Sequence, residues 1–183
     1  MVLPQSGALQ FPTGVGGEQR SAAIGISSTQ GFAYVAGTTP NGVADNLQLF
    51  VIDISDPTAP LATVGAIADF TSEEERQIPN DIPRGVAVFD DGEAGTGDIV
   101  YTIGGTKGDL TQTPSVLVNN GQEDAFFLQY TPDTDGNLLT LADGSPTNPP
   151  TAFQFGGQGS DIIFDAITVA DGNGHSLYVV GRT

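Results

Sequence analysis

The chain has 183 residues, with 22 acidic against 5 basic side chains, a formal charge of −17, one histidine and no cysteine. That length supports one domain with a sizeable core, while the charge argues against nucleic acid and anionic membrane surfaces, whose phosphates call for Lys and Arg. The absence of cysteine removes disulfides, thiolate metal sites and cysteine nucleophiles, and no run approaches the roughly 18 apolar residues of a membrane span, so no membrane insertion is expected.

In chain order, Ala8-Leu9-Gln10-Phe11 alternates weakly and reads as a short outer strand, stopped by Pro12 and nearby glycines. Ala23 to Ile26 is the next strand, and Ser27 to Gly31 turn into a strand from Phe32 to Gly37. Leu47 to Ile54 is apolar at both parities, so it predicts a strand covered on both faces. Asp56-Pro57 ends it, and Leu61 to Ile67 supplies a fourth strand. Thr71-Ser72-Glu73-Glu74-Glu75 then carries a capping-box pattern, which Pro79 limits to about one helical turn, and is read as a solvated insertion.

A second set of strands follows: Gly85 to Phe89, then Ile99 to Gly104 after an acidic glycine-rich turn, then Ala125 to Tyr130, again apolar at both parities, then Ala152 to Phe155. The third strands of the two sets align with Phe50 on Phe126, Ile52 on Leu128 and Ile54 on Tyr130. A third set has two strands, Ala166 to Val169 and Leu177 to Gly181, joined by Asp171-Gly172-Asn173-Gly174.

One phrase recurs at the second strand of each set: Tyr34-Val35-Ala36-Gly37-Thr38-Thr39, Tyr101-Thr102-Ile103-Gly104-Gly105-Thr106 and Tyr178-Val179-Val180-Gly181-Arg182-Thr183. A unit of four short strands in fixed order, with inner strands apolar on both faces, predicts an all-β fold. The expected form is a β-propeller-like array of four-stranded antiparallel blades, an incomplete ring of about two and a half blades, with a β-sandwich as the alternative. The units run approximately 18–83, 84–160 and, in part, 161–183, within a single domain spanning 1–183. An open array predicts a protein partner, either the rest of a longer chain or another protomer pairing through edge strands.

The segments Asp124 to Asp133, Asp135-Gly136-Asn137-Leu138-Leu139, Phe155 to Asp161 and Leu177 to Thr183 together resemble one SBBP-type bacterial β-propeller repeat, and Leu49 to Pro57 is similar to the related LVIVD-type repeat. The resemblance implies a propeller in a bacterial protein, extracellular or at the cell surface. Such repeats share no catalytic residues, so it implies none here.

Candidate sites are few. Gly156-Gly157-Gln158-Gly159-Ser160-Asp161-Ile162-Ile163-Phe164 matches a calcium-binding nonapeptide at every fixed position, with Asp161 its ligand, but in a single copy where such sites need stacked neighbours; an interstrand glycine turn is the plainer reading. Asp133, Asp135 and Asn137 place oxygens at alternating positions like the start of an EF-hand loop, although Gly144 stands where that loop needs glutamate. The turn holding Asp90, Asp91, Glu93 and Asp98 is a third calcium candidate. His175 lacks a second histidine or a cysteine to share a metal, and reads as a surface-turn residue. Lys107 sits in a glycine turn without the spacing of a phosphate loop. The recurring tyrosines fit packing between blades better than a carbohydrate-stacking ring, because every blade meets the same neighbour.

The leading expectation is therefore a non-catalytic β-propeller module for adhesion or assembly. A carbohydrate- or calcium-binding domain and a propeller hydrolase or lyase are the alternatives, the enzyme ranking last for want of converging titratable groups.

Overall fold

Twelve strands and no helix make up the described part of the computed structural model, which covers residues 20–40, 45–56, 61–63, 82–93, 97–108, 110–112, 115–117, 121–132, 151–172 and 174–183. The expected strand at 8–11 and the capping-box turn at 71–75 lie outside those residues.

The first sheet follows the chain, with β1 (Arg20–Ser27), β2 (Phe32–Pro40), β3 (Asp45–Asp53) and β4 (Leu61–Thr63) hydrogen-bonded in that order. The second is also an antiparallel meander: β5 (Ile82–Phe89), β6 (Ile99–Thr106), β9 (Asp124–Tyr130) and β10 (Thr151–Phe155). Between β6 and β9 the chain makes a small hairpin of β7 (Leu110–Gln112) and β8 (Ser115–Leu117), which the hydrophobic pattern does not announce. Finally β11 (Ile162–Asp171) and β12 (Gly174–Arg182) form a two-stranded sheet. None of these sheets closes on itself. β5 begins two residues before the expected boundary at 84.

Each long hairpin has the same irregularity. The β1, β5 and β11 strands shift register between Ser21 and Ala23, between Pro83 and Gly85, and between Ile163 and Asp165. Opposite those bulges stand Gly37, Gly104 and Gly181, the glycines of the recurring phrase. A bulge pushes one strand's backbone toward its partner. A methyl group at Gly104 or Gly181 would fall on the carbonyl oxygen of Ile82 or Ile162, so the close approach excludes any side chain there.

The sheets pack face to face through their leading strands, β1 against β5 and β5 against β11. The main core lies between the first two sheets. Tyr34, Leu47, Leu49 and Val51 on one side meet Val100, Phe126, Leu128 and Tyr130 on the other, with Val86 and Val88 closing the edge. The opposite face of the second sheet buries Ile103 and Ala125 against Ile163, with Phe127 and Ala166 packed on them. The second sheet is thus covered on both faces, as the two apolar parities of β9 require. On β3, Val51 faces the second sheet while Ile52 joins Ala33 and Val35 on the other side.

One alignment made from the sequence needs correcting. Tyr34 pairs with Val51 and Tyr101 with Gln129, so Val51 matches Gln129, and Ile52 matches Tyr130 rather than Leu128. A two-residue slip leaves every side chain on its own face, so alternation cannot detect it; cross-strand pairing alone sets it.

Candidate functional site

Polar side chains converge where neighbouring sheets meet. Tyr34 comes from β2, with no exposed surface, and its hydroxyl donates to Asp98 Oδ2 at 2.6 Å. Asp98 ends the turn between β5 and β6, three residues before Tyr101. Its Oδ1 accepts from Ser27 Oγ at 2.8 Å, and the same hydroxyl lies 3.2 Å from Asp90 Oδ2. Asp90 Oδ2 also accepts from the Thr29 amide at 2.9 Å, and its Oδ1 accepts from the Gly92 amide at 2.9 Å. The acidic turn of the second sheet therefore grips the β1–β2 turn of the first.

The two carboxyls respond in opposite directions. Burial pushes the Asp98 carboxyl above its ordinary value; the Tyr34 and Ser27 hydroxyls pull it down in part, and the charges of Asp90 and Asp91 add to the rise. Burial also raises Asp90, yet the donors on Thr29, Gly92 and Ser27 together hold it below the usual aspartate value.

The same device appears at the next junction with different chemistry. Tyr101, on β6 of the second sheet, has its hydroxyl 2.7 Å from His175 Nε2. His175 stands three residues before Tyr178, as Asp98 stands three before Tyr101. Its ring stacks on Phe89, with centroids 4.2 Å apart and planes inclined by 17°. Burial pushes the Tyr101 phenol above its ordinary value. The Tyr101 hydroxyl donates to Gln129 Oε1 at 3.4 Å. Across the same junction Thr168 Oγ1 donates to the Val88 carbonyl at 2.6 Å.

His175 is thus not the surface-turn residue expected. It is half-buried and engaged between the second sheet and the last hairpin. The clue available in the sequence was positional: Asp98 and His175 hold the same place relative to the recurring tyrosine.

Asp161 is buried and serves its own turn. Its Oδ2 accepts from the Gly157 amide at 2.7 Å, and its backbone amide donates to the Glu123 carbonyl at 2.6 Å. Ser160 Oγ donates to Glu123 Oε2 at 2.9 Å, and the Gln122 amide donates to the Gly159 carbonyl at 3.0 Å. These bonds fasten the glycine turn to the start of β9. The Asp124 and Asp161 carboxyls both approach Gly156, but Glu123 points to the other face of β9, and among the described residues no group of three carboxylate or histidine side chains could hold a metal ion. Asp133, Asp135 and Asn137 lie outside the described residues.

Among the described residues no helix is long and apolar enough to cross a membrane. Comparison with family models, with curated proteins and with solved structures finds no match to this chain.

Proposed function

We propose that this chain is a non-catalytic β-propeller-type module of a bacterial surface or secreted protein, serving adhesion or assembly. The observation that carries this reading is the internal use of its reactive groups: Asp98 and His175, the residues best suited to acid–base work, are each hydrogen-bonded to a tyrosine hydroxyl of the preceding sheet. A catalytic group must instead face a substrate. Support for blades comes from the meander order of both four-stranded sheets and their face-to-face stacking, which covers the second sheet on both sides. A two-layer sandwich would leave one face of each sheet to solvent.

Immunogold labelling of the producing cell with antibody against the chain tests the placement, with label expected on the outer surface or in the medium. Confinement to the cytosol would remove the surface reading. For the non-catalytic reading, His175→Gln should lower the melting midpoint. A hydrolytic or lyase activity that disappears in His175→Gln while melting is unchanged would overturn it.

A further inference from the structure

The joint between the first two sheets calls for one proton more than its hydroxyls carry. Ser27 Oγ, with no exposed surface, has three polar neighbours: Asp98 Oδ1 at 2.8 Å, Asp90 Oδ2 at 3.2 Å and the Gln30 amide at 3.3 Å. A serine hydroxyl supplies one proton and two lone pairs. With both carboxyls ionised, that proton serves the nearer oxygen, on Asp98, and Asp90 Oδ2 is left facing a lone pair of the serine.

The two carboxyls differ in which can take an extra proton. Asp90 is fixed as an acceptor on both oxygens by backbone amides, Thr29 on Oδ2 and Gly92 on Oδ1, each at 2.9 Å. Asp98 has hydroxyl partners instead. The Tyr34 hydroxyl donates to its Oδ2 at 2.6 Å, which leaves Oδ1, against Ser27, as the place for a proton. The charges that face Asp98 are those of Asp90 and Asp91, on its own turn and of its own sign, while the first sheet brings it the hydroxyls of Tyr34 and Ser27. At 3% exposure it is also too buried for water to offset that repulsion.

We infer that a proton on Asp98 Oδ1 closes this joint as a relay, in which Oδ1–H donates to Ser27 Oγ and the Ser27 hydroxyl donates to Asp90 Oδ2. The Gln30 amide takes the second lone pair of the serine, so every polar atom around Ser27 has its partner. Loss of the proton reverses the 2.8 Å bond: the serine turns back to Asp98, and Asp90 loses one of its bonds to the first sheet. The donors that hold Asp90 low and the burial that raises Asp98 favour the same placement. The first joint is thus a proton-operated clasp between the β1–β2 turn and the acidic turn, tighter in acid.

Carbon-detected NMR on the isotope-labelled 183-residue chain, titrated from about pH 3 to about pH 8, reads the carboxyl carbons directly. Asp98 Cγ should titrate at higher pH than Asp90 Cγ. Asp90 Cγ should also show a second, smaller step at the Asp98 midpoint, where the Ser27 proton leaves it. That step should vanish in Asp98→Asn, whose amide stands in for the protonated carboxyl at every pH. It should vanish too in Ser27→Ala, where Asp98 still titrates but no hydroxyl carries the change across. Asp90 titrating above Asp98, or a parent chain without the second step, would overturn the inference with no variant needed. A step that persists in Ser27→Ala would overturn it as well, since charge alone would then account for the coupling.

Discussion

The hydroxyl of Tyr34 reaches Asp98 at 2.6 Å across 64 positions of sequence, and it ties the first sheet to the turn of the second. The equivalent contact of Tyr101 is with the imidazole Nε2 of His175 instead of a carboxylate. Leaving a buried carboxyl without its donor costs about 1–3 kcal/mol, more when it is charged, whereas the imidazole partner of Tyr101 is only part-buried. Tyr34→Phe should therefore destabilise more than Tyr101→Phe, which leaves His175 stacked on Phe89. Urea unfolding of both variants checks the order; equal losses would mean that the two junctions differ in nothing but their side chains.

Asp98 links stability to pH. Its carboxyl is raised in the folded protein, so the folded state binds the proton more tightly than the unfolded one. Its contribution is complete below the ordinary aspartate value and is lost as pH rises through the folded value. Relative to Asp98→Asn, the parent should lose stability as pH rises from about 4 toward neutrality. Asp90, held low, acts the other way, losing its contribution as pH falls. Melts of Asp98→Asn and Asp90→Asn along a pH series should show opposite slopes against the parent.

Gly104 and Gly181 face bulged backbone with no room for a side chain. Alanine at either should cost about 1–3 kcal/mol as an overpacking change. Gly159, with nothing within 4 Å of an added methyl, is the control, and Gly159→Ala should stay within about 0.5 kcal/mol of the parent. Chemical denaturation of the three variants decides whether the recurring glycine serves the bulge.

Tyr130 is buried, and its hydroxyl meets no hydrogen-bond partner among the described residues. Burial accordingly drives its phenol far above the ordinary value. An unpaired buried hydroxyl costs about 1–3 kcal/mol. Tyr130→Phe keeps the ring in the core and should leave stability unchanged or raise it. A loss above about 1 kcal/mol would reveal an ordered water bound there.

If calcium binds, the segment with Asp133, Asp135 and Asn137 is the expected place, since Asp90, Asp98 and Asp161 are engaged in internal bonds. Saturation tenfold above Kd would add about 1.4 kcal/mol. Melts in chelator and in millimolar calcium, with Asp135→Asn as comparison, test it. An equal rise with magnesium in both chains would mean screening of the −17 charge.

The β class was legible because period-two alternation and glycine turns are local properties, and ten of the strands fall where those signals put them. The recurrence of tyrosine and glycine was legible too, as was the packing role of Tyr34 and Tyr101. The β7–β8 hairpin escaped notice because Leu110 to Leu117 alternates too briefly to stand out. Its loop signals outweighed its pattern.

What the amino-acid order determined by itself was which residues alternate, where turns must fall and which face each side chain takes. Tertiary structure alone decided that Ile52 matches Tyr130, that Asp98 receives Tyr34, that His175 meets Tyr101, and that the glycines face bulges. Register and docking depend on pairings between segments far apart in the chain, and a slip by two residues preserves every local preference, so only the packed sheets select among the choices that alternation leaves equal.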